Sequence, residues 1–157
     1  DGIRDIGVTG VQTCALPILD GALTQRAIDR CGAFMEAHPD HEVIFWCSLG
    51  TTDAIQGMSQ EAFRTRLAAL AATLRAGIPG AAEAFWVQGD MPGSLVGWID
   101  ITSANGTDIL EAQNSVADYI PNAAAASMFD LSTYDNVHLD MSSLRLFGLR
   151  MARASRL

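Results

Sequence analysis

The sequence has few basic residues for its length. Ten lysine and arginine residues stand against eighteen aspartate and glutamate residues, which gives a net charge of −8. A nucleic-acid site needs clustered positive charge to replace the counterions of the phosphates, and no such cluster occurs. The composition therefore argues against a nucleic-acid partner and otherwise indicates only a soluble chain.

Cysteine is also scarce, and its spacing fits neither a metal site nor a redox motif. The cysteines are Cys14, Cys31 and Cys47. Their odd number argues against a disulfide framework, and two of them lie in apolar surroundings, which is typical of buried thiols. The histidines share no ligand spacing either, so the sequence predicts no metal centre and no cofactor. They are His38, His41 and His138.

Apolar runs of membrane-spanning length are missing as well, so no membrane partner is predicted. What is present is the composition of a globular protein. Hydrophobic residues make up 49% of the 157 residues and charged residues 18%. A chain of this length can bury one proper core and is too short for two ordinary domains.

The first eighteen residues lack the order of the rest. Residues 1–18 read DGIRDIGVTGVQTCALPI and follow neither a helical nor a strand period. Within them, 8–18 resembles the translation of a common sequencing-adapter oligonucleotide. A secretory signal would need a basic start and a continuous apolar run, and the segment has neither. We therefore interpret 1–18 as non-native, expect the natural start of the protein to be missing, and place the natural domain at 19–157.

From Leu19 onward, helical and strand patterns alternate. Helices are predicted where apolar residues recur every three or four positions, and strands where short apolar runs stand between turn residues. The predicted helices are 21–37, 59–76, 107–120 and the run that follows 139, and the predicted strands are 42–48, 84–88, 123–129 and a weaker one at 95–101. Asp20 is predicted to cap the first helix, and Thr107 or Asp108 the third.

This alternation predicts an α/β fold with three layers, in which helices cover both faces of a parallel sheet. We expect 42–48 to be the central strand, with helices 21–37 and 59–76 packed on it. On the side where the missing N-terminal segment would pair, the sheet should be short of strands and prone to aggregate. In the last helix, Gly148 is expected to allow close packing.

Two short motifs follow predicted strands. Asp135 precedes His138 by three residues, at the point where a loop leads into the last helix. A carboxylate so placed can fix the imidazole tautomer and leave the other ring nitrogen as a general base. The segment Gly50-Thr51-Thr52-Asp53 follows strand 42–48 directly. Ligands bind at the carboxyl ends of the strands in open α/β sheets, so both motifs are candidates for one site.

Together these motifs resemble those of the SGNH/GDSL hydrolase superfamily, and most of all its carbohydrate-esterase branch, which includes sialate O-acetylesterase-like proteins. Gly50 and Asp53 match the Gly-x-Asn-Asp block. With Trp46 they also resemble the Trp-x-Gln-Gly-Glu-x-Asp block of the branch, and Gln113 matches a further Gln of its pattern. The resemblance runs from about 42 to 152. It implies a flavodoxin-like sheet, here truncated at the N-terminus, as part of an SGNH domain.

The resemblance implies a serine ester hydrolase that acts on acetylated carbohydrate, with His138 as base, Asp135 as its partner, and Gly50, Thr52 and Asp53 at the oxyanion or substrate. Two parts of the family's machinery are absent. Thr52 and Leu49 stand where the family places an oxyanion-binding amide. The nucleophilic serine of a Gly-x-Ser turn is also missing, because Ser48, Ser94 and Ser103 lie in no such turn. We therefore expect a fragment that is inactive, or very slow, by itself.

Two other readings remain open. The chain is also compatible with a non-catalytic carbohydrate-binding relative that has lost its oxyanion donor. Trp98 is a candidate sugar-stacking residue, with a place in the core as the alternative. It is equally compatible with a plain α/β domain in which Asp135 and His138 form a structural pair at a helix start. The sequence does not determine the cellular location, although relatives of this kind are often exported.

Overall fold

A computed structural model describes residues 21–102 and 105–155 and shows a mixed α/β fold. Asp20 and the adapter-like segment 1–18 lie outside these residues. The helices are α1 (Ala22–Ala37), α2 (Thr51–Ile55), α3 (Gln60–Gly77), α4 (Gly93–Thr102), α5 (Gly106–Asn114) and α6 (Met141–Ala154), and the strands are β1 (Ile44–Cys47), β2 (Phe85–Gly89) and β3 (Ala123–Ala126). Of the described helices, none is both long and apolar enough to cross a membrane.

The three strands form a parallel sheet in the order β1-β2-β3. Helices cover both of its faces, so the predicted α/β class and three-layer arrangement are confirmed. The prediction that 42–48 is the central strand is wrong. In the described part of the chain, β2 lies between the other two strands and β1 lies at the edge. The apolar residues of β1 pack against both cores, yet they are only half-buried or exposed, as expected at the edge of a sheet.

Alternate residues of β2 point into two separate cores. Trp86 belongs to the larger core, which is built with α1, α3, α4 and α5 on one face of the sheet. Val87 belongs to a smaller core with Met151 and Phe147 of α6 on the other face. Both β2 residues are fully buried, because a central strand has neighbours at its two edges as well as on its two faces.

The weaker strand predicted at 95–101 is wrong, because this segment is helical within α4. Its buried residues are Leu95, Val96 and Ile99, and the spacing of one and four positions is that of a helix face. The run is apolar enough to pass for a buried strand, and short apolar runs do not separate the two alternatives by periodicity. The third predicted helix also starts differently, since Asn105 is the cap residue of α5 and Thr107 lies inside it.

The start of α3 agrees with the sequence prediction, and the end of α5 does not. Helix α3 begins after Ser59, whose side chain accepts a hydrogen bond from the N–H of Ala62. Helix α5 ends at Asn114 rather than near 120, and a short 3₁₀ turn at Val116–Asp118 covers only part of the remaining predicted span. The expectation for Gly148 is wrong, because a Cβ added there would meet nothing within 4 Å.

Candidate functional site

Main-chain hydrogen bonds join the two ends of the loop that carries the Asp-x-x-His motif. Thr133 and Leu139 form an isolated antiparallel bridge across its base. Above the bridge, the N–H of Tyr134 donates to the carbonyl of His138 at 3.0 Å. Below it, the N–H of Asp140 donates to the carbonyl of Ser132 at 3.2 Å. The loop follows β3 and leads into α6, so it lies on the carboxyl side of the parallel sheet.

Asp135 and His138 are in direct contact in this loop. One carboxylate oxygen of Asp135 accepts the main-chain N–H groups of Val137 at 3.0 Å and His138 at 2.7 Å. The other oxygen lies 2.7 Å from Nδ1 of His138. Asn136 makes the turn possible with a φ of 68°, a left-handed conformation that asparagine tolerates better than most residues. The predicted proximity of Asp135 and His138 is therefore present.

The electrostatics of Asp135 favour its ionised form. Hydrogen bonds from the main-chain N–H and the ring of His138 lower the pKa of the Asp135 carboxyl to about 2. An ionised carboxylate only accepts hydrogen bonds, so neutral His138 places its proton on Nδ1. Nε2 then carries a lone pair. The side chains of His138 and Asp135 are 54% and 39% exposed, which leaves the ring open to a substrate from solvent.

Tyr134 is a site residue that the sequence reasoning missed. Its ring lies nearly parallel to the ring of His138, with an angle of 18° and 5.7 Å between the centroids. The ring of Tyr134 is therefore stacked with an offset against one face of the imidazole, and it is itself largely exposed to solvent. Adjacency to Asp135 is the only sequence signal for this contact, and adjacency does not predict where a ring will point.

Ser94, at the start of α4, ties the loop to the rest of the domain. Its hydroxyl lies 3.1 Å from that of Thr133 and donates to the carbonyl of Asn136 at 3.3 Å. At the other end, Asp140 caps α6 by accepting the N–H of Ser143 at 2.8 Å, and it also accepts the hydroxyl of Ser132. The loop is therefore fixed to two helices, α4 and α6.

The second motif begins α2. Gly50 has a φ of 129°, which strongly favours glycine, and a Cβ added there would lie 2.6 Å from Nε2 of Gln113. The side-chain amides of Gln113 and Gln88 both donate to the carbonyl of Leu49, at 2.6 and 3.2 Å. These two buried glutamines hold the chain that enters Gly50–Asp53. The sequence reasoning found Gln113 only through the family resemblance and did not identify Gln88.

The structure does not bring the two motifs into contact. Among the described residues, no hydrogen bond, ion pair or ring contact joins 50–53 to Asp135 or His138. The two segments follow β1 and β3, and β2 lies between these two strands. Thr52 is half-buried. Burial raises the pKa of Asp53, and the positive charge of Arg66 opposes that shift.

No serine of the described residues donates a hydrogen bond to His138, whose Nδ1 is held by Asp135. The hydroxyl of Ser94 is engaged by the loop backbone and Thr133, and Ser48 is exposed after β1. Ser103 lies outside the described residues. The geometry thus provides an imidazole held by a carboxylate, and no serine of the described residues is paired with that imidazole.

Asp90, which follows β2 on the same side of the sheet, is a buried carboxylate that the sequence reasoning did not single out. It accepts the main-chain N–H of Met128 at 2.5 Å and the hydroxyl of Ser127 at 2.7 Å. Burial raises its pKa, and these two hydrogen bonds oppose the shift. Both partners follow β3, so Asp90 fixes the direction in which the chain leaves β3 toward the site.

The remaining candidates have structural surroundings. Trp46 donates from its ring N–H to the hydroxyl of Ser155 at 2.7 Å, and Trp98 is about half exposed on α4. Cys31 and Cys47 are free and half-buried, and burial of its thiol raises the pKa of Cys47 to about 12. Over the described ranges, no group of three or more potential ligands is arranged to hold a metal ion.

Two cavities lie away from the Asp-x-x-His motif. One of about 500 Å³ is bordered by α3 and by 119–121, which lead into β3, and one of about 320 Å³ lies between α1 and the end of α3. Asp135 and His138 border neither of them. Comparison of the chain with models of known families and with curated proteins finds no match.

Proposed function

We propose that Asp135 and His138 are the general-base pair of an ester hydrolase that acts on acetylated carbohydrate. The observation that carries the proposal is the 2.7 Å contact between Nδ1 of His138 and the carboxylate of Asp135. It leaves Nε2 unprotonated at the carboxyl side of the sheet, where ligands bind in folds of this class. The acetyl-sugar substrate rests on the resemblance to the carbohydrate-esterase branch.

The chemistry follows from this arrangement. Nε2 of His138 takes a proton from the attacking hydroxyl group, and the ionised carboxylate of Asp135 stabilises the imidazolium that forms. In the return step, the imidazolium gives its proton to the leaving alcohol. Asp135 also holds the ring through the turn, since the same carboxylate accepts two main-chain N–H groups.

The nucleophile and the oxyanion donor are the incomplete parts. The proposal assigns the oxyanion or substrate contact to Gly50, Thr52 and Asp53, and a threonine hydroxyl is a shorter donor than the amide found in the family. A serine from sequence not present in 19–157 would complete the triad. Without it, this chain should hydrolyse unactivated acetyl esters, such as those of acetylated sugars, very slowly or not at all.

The test compares this chain with the natural gene product that carries its own upstream sequence. Hydrolysis of p-nitrophenyl acetate and of an acetylated methyl glycoside is measured for each. We expect activity in the longer protein, and a loss of at least about a thousandfold when His138 is replaced by alanine. His41→Ala is the matched control and should stay within about twofold of the parent, because exposed residues away from a site contribute little.

Inactivity of the longer protein toward both esters, or indifference to His138→Ala, would contradict the proposal. A structural role for the pair would then be preferred, and one observation favours it. Asp135 accepts the N–H groups of Val137 and His138, so it locks the turn whether or not His138 does chemistry. In that case His138→Ala should alter the stability of the loop and leave every ester rate unchanged.

A further inference from the structure

His138 differs from the two other histidines in the way its ring is held. Its Nδ1 is paired with the Asp135 carboxylate at 2.7 Å. The rings of His38 and His41 instead pack against each other, 5.2 Å apart between centroids, and against Phe34. In the described part of the chain, neither of them forms an ion pair with a carboxylate. All three histidines are exposed to solvent.

We infer that Nε2 of His138 is itself an acyl acceptor, which takes an acyl group from activated acyl donors such as aryl esters. The inference rests on the Asp135–His138 geometry of the proposed function and requires no serine. Histidine is among the side chains that form covalent intermediates in acyl transfer. Nε2 has its lone pair in the ring plane, where Tyr134 does not cover it, because the ring of Tyr134 lies over a face of the imidazole.

The reaction balances without a further reactant. The lone pair of Nε2 attacks the carbonyl carbon, the N–C bond forms, and the C–O bond to the phenol breaks. The phenolate leaves with the electron pair of that bond. The Nδ1 proton remains on the ring, next to the Asp135 carboxylate, which stabilises the positive charge of the acylimidazolium. Water then attacks the acyl carbon, the C–N electron pair returns to Nε2, and acetic acid and one proton are released.

Two features of Asp135 make its effect separable from folding. One carboxylate oxygen closes the turn through main-chain N–H groups, and the other faces the ring. In Asp135→Asn, the amide oxygen can still accept the main-chain N–H groups. The amide NH₂ then faces Nδ1 and can only donate to it, so the ring proton moves to Nε2 and the nucleophilic lone pair is lost.

The experiment treats the full chain with p-nitrophenyl acetate, quenches it at successive times, and locates the acetyl group by peptide mass mapping. Diethyl pyrocarbonate, whose adducts last longer, is used as a second acyl donor. We expect His138 to react at least about tenfold faster than His38 or His41 in the same molecule, since one strong hydrogen bond corresponds to about that factor in rate. Asp135→Asn should reduce the acylation rate of His138 to that of His38 and His41.

Because the three histidines are compared within one folded molecule, the wild-type result does not depend on whether a variant folds. Equal rates at the three histidines with both reagents would overturn the inference. So would a His138 rate that Asp135→Asn leaves unchanged. The esterase proposal is decided separately, by the His138 dependence of acetylated-glycoside hydrolysis in the longer protein.

Discussion

At the scale of single residues, Asp130 and Asp135 have the same pKa for different reasons. Hydrogen bonds from Arg150 on α6 lower the pKa of Asp130 to about 2. The N–H and ring of His138 do the same for Asp135. A carboxyl whose pKa is depressed on folding stabilises the fold above its ordinary value of 3.8, and that stabilisation disappears as the pH falls through about 2.

This difference in cause leads to a prediction. Carbon-13 NMR of the side-chain carboxyls should give both groups midpoints near 2 in the parent protein. Arg150→Gln should return the pKa of Asp130 toward 3.8 and leave the pKa of Asp135 unchanged, because Arg150 pairs with Asp130 and not with Asp135. A shift of both midpoints in the variant would contradict the account of two independent partners.

Some of the site was predictable residue by residue and some was not. The spacing of Asp135 and His138 predicts their contact, because a three-residue turn brings the two side chains together. Nothing in the sequence predicts that Tyr134 stacks on His138 or that Ser94 ties the loop to α4. These contacts depend on how distant segments pack, and a local pattern carries no information about them.

At the scale of elements, the surroundings of two glycines predict opposite effects on stability when each is replaced by alanine. Gly50 is the cap residue that precedes α2 and has a φ of 129°. A Cβ added there would lie 2.6 Å from the buried amide of Gln113. Gly148 lies inside α6, where an added Cβ meets nothing within 4 Å. Gly50→Ala should lower the free energy of unfolding by about 2 kcal/mol or more, since it combines strain with a clash. Gly148→Ala should raise it by about 0.5–1 kcal/mol, since alanine is the better helix former.

Urea denaturation followed by circular dichroism gives both free energies. A neutral or stabilising effect of Gly50→Ala would contradict the positive φ of Gly50 and its close approach to Gln113. A destabilising Gly148→Ala would restore the expectation that this glycine allows close packing in α6.

The elements also show where sequence patterns are sufficient. Strand β3 consists of four alanines, which favour a helix, and its assignment depended on Pro121-Asn122 and on the alternation of elements. That context was correct. The apolar run 95–101 predicts a weak strand, and in the structure it is helical within α4. A helix buried on one side and a strand buried on both sides have similar amino-acid compositions in a run of this length. Tertiary packing therefore decides which of the two forms.

At the scale of the whole molecule, the edge of the sheet at β1 is the feature with the clearest consequence. The strand is apolar, carries no charge, and pairs with β2 on one side within the described residues. Such edges promote association between chains. We expect concentration-dependent self-association by light scattering, reduced by Trp46→Lys at the edge. Leu144→Lys, which adds the same charge on the exposed face of α6, should reduce it less.

The two lysine variants separate an effect of the edge from an effect of net charge. Equal reduction by both variants would contradict the edge as the cause, as would a monomeric parent at all concentrations. The central position predicted for 42–48 was wrong for a related reason. An apolar run predicts burial between helices, and it does not by itself distinguish a central strand from an edge strand that two helical layers cover.

The central claim is that Asp135 holds His138 with its proton on Nδ1 and a free lone pair on Nε2. Nitrogen-15 NMR of the imidazole, at a pH where the ring is neutral, measures this tautomer directly. The account predicts a protonated Nδ1 and an unprotonated Nε2 in the parent protein, and the reverse in Asp135→Asn. A His138 signal that reports the proton on Nε2 in the parent, or the same tautomer mixture as His38 and His41, would contradict it.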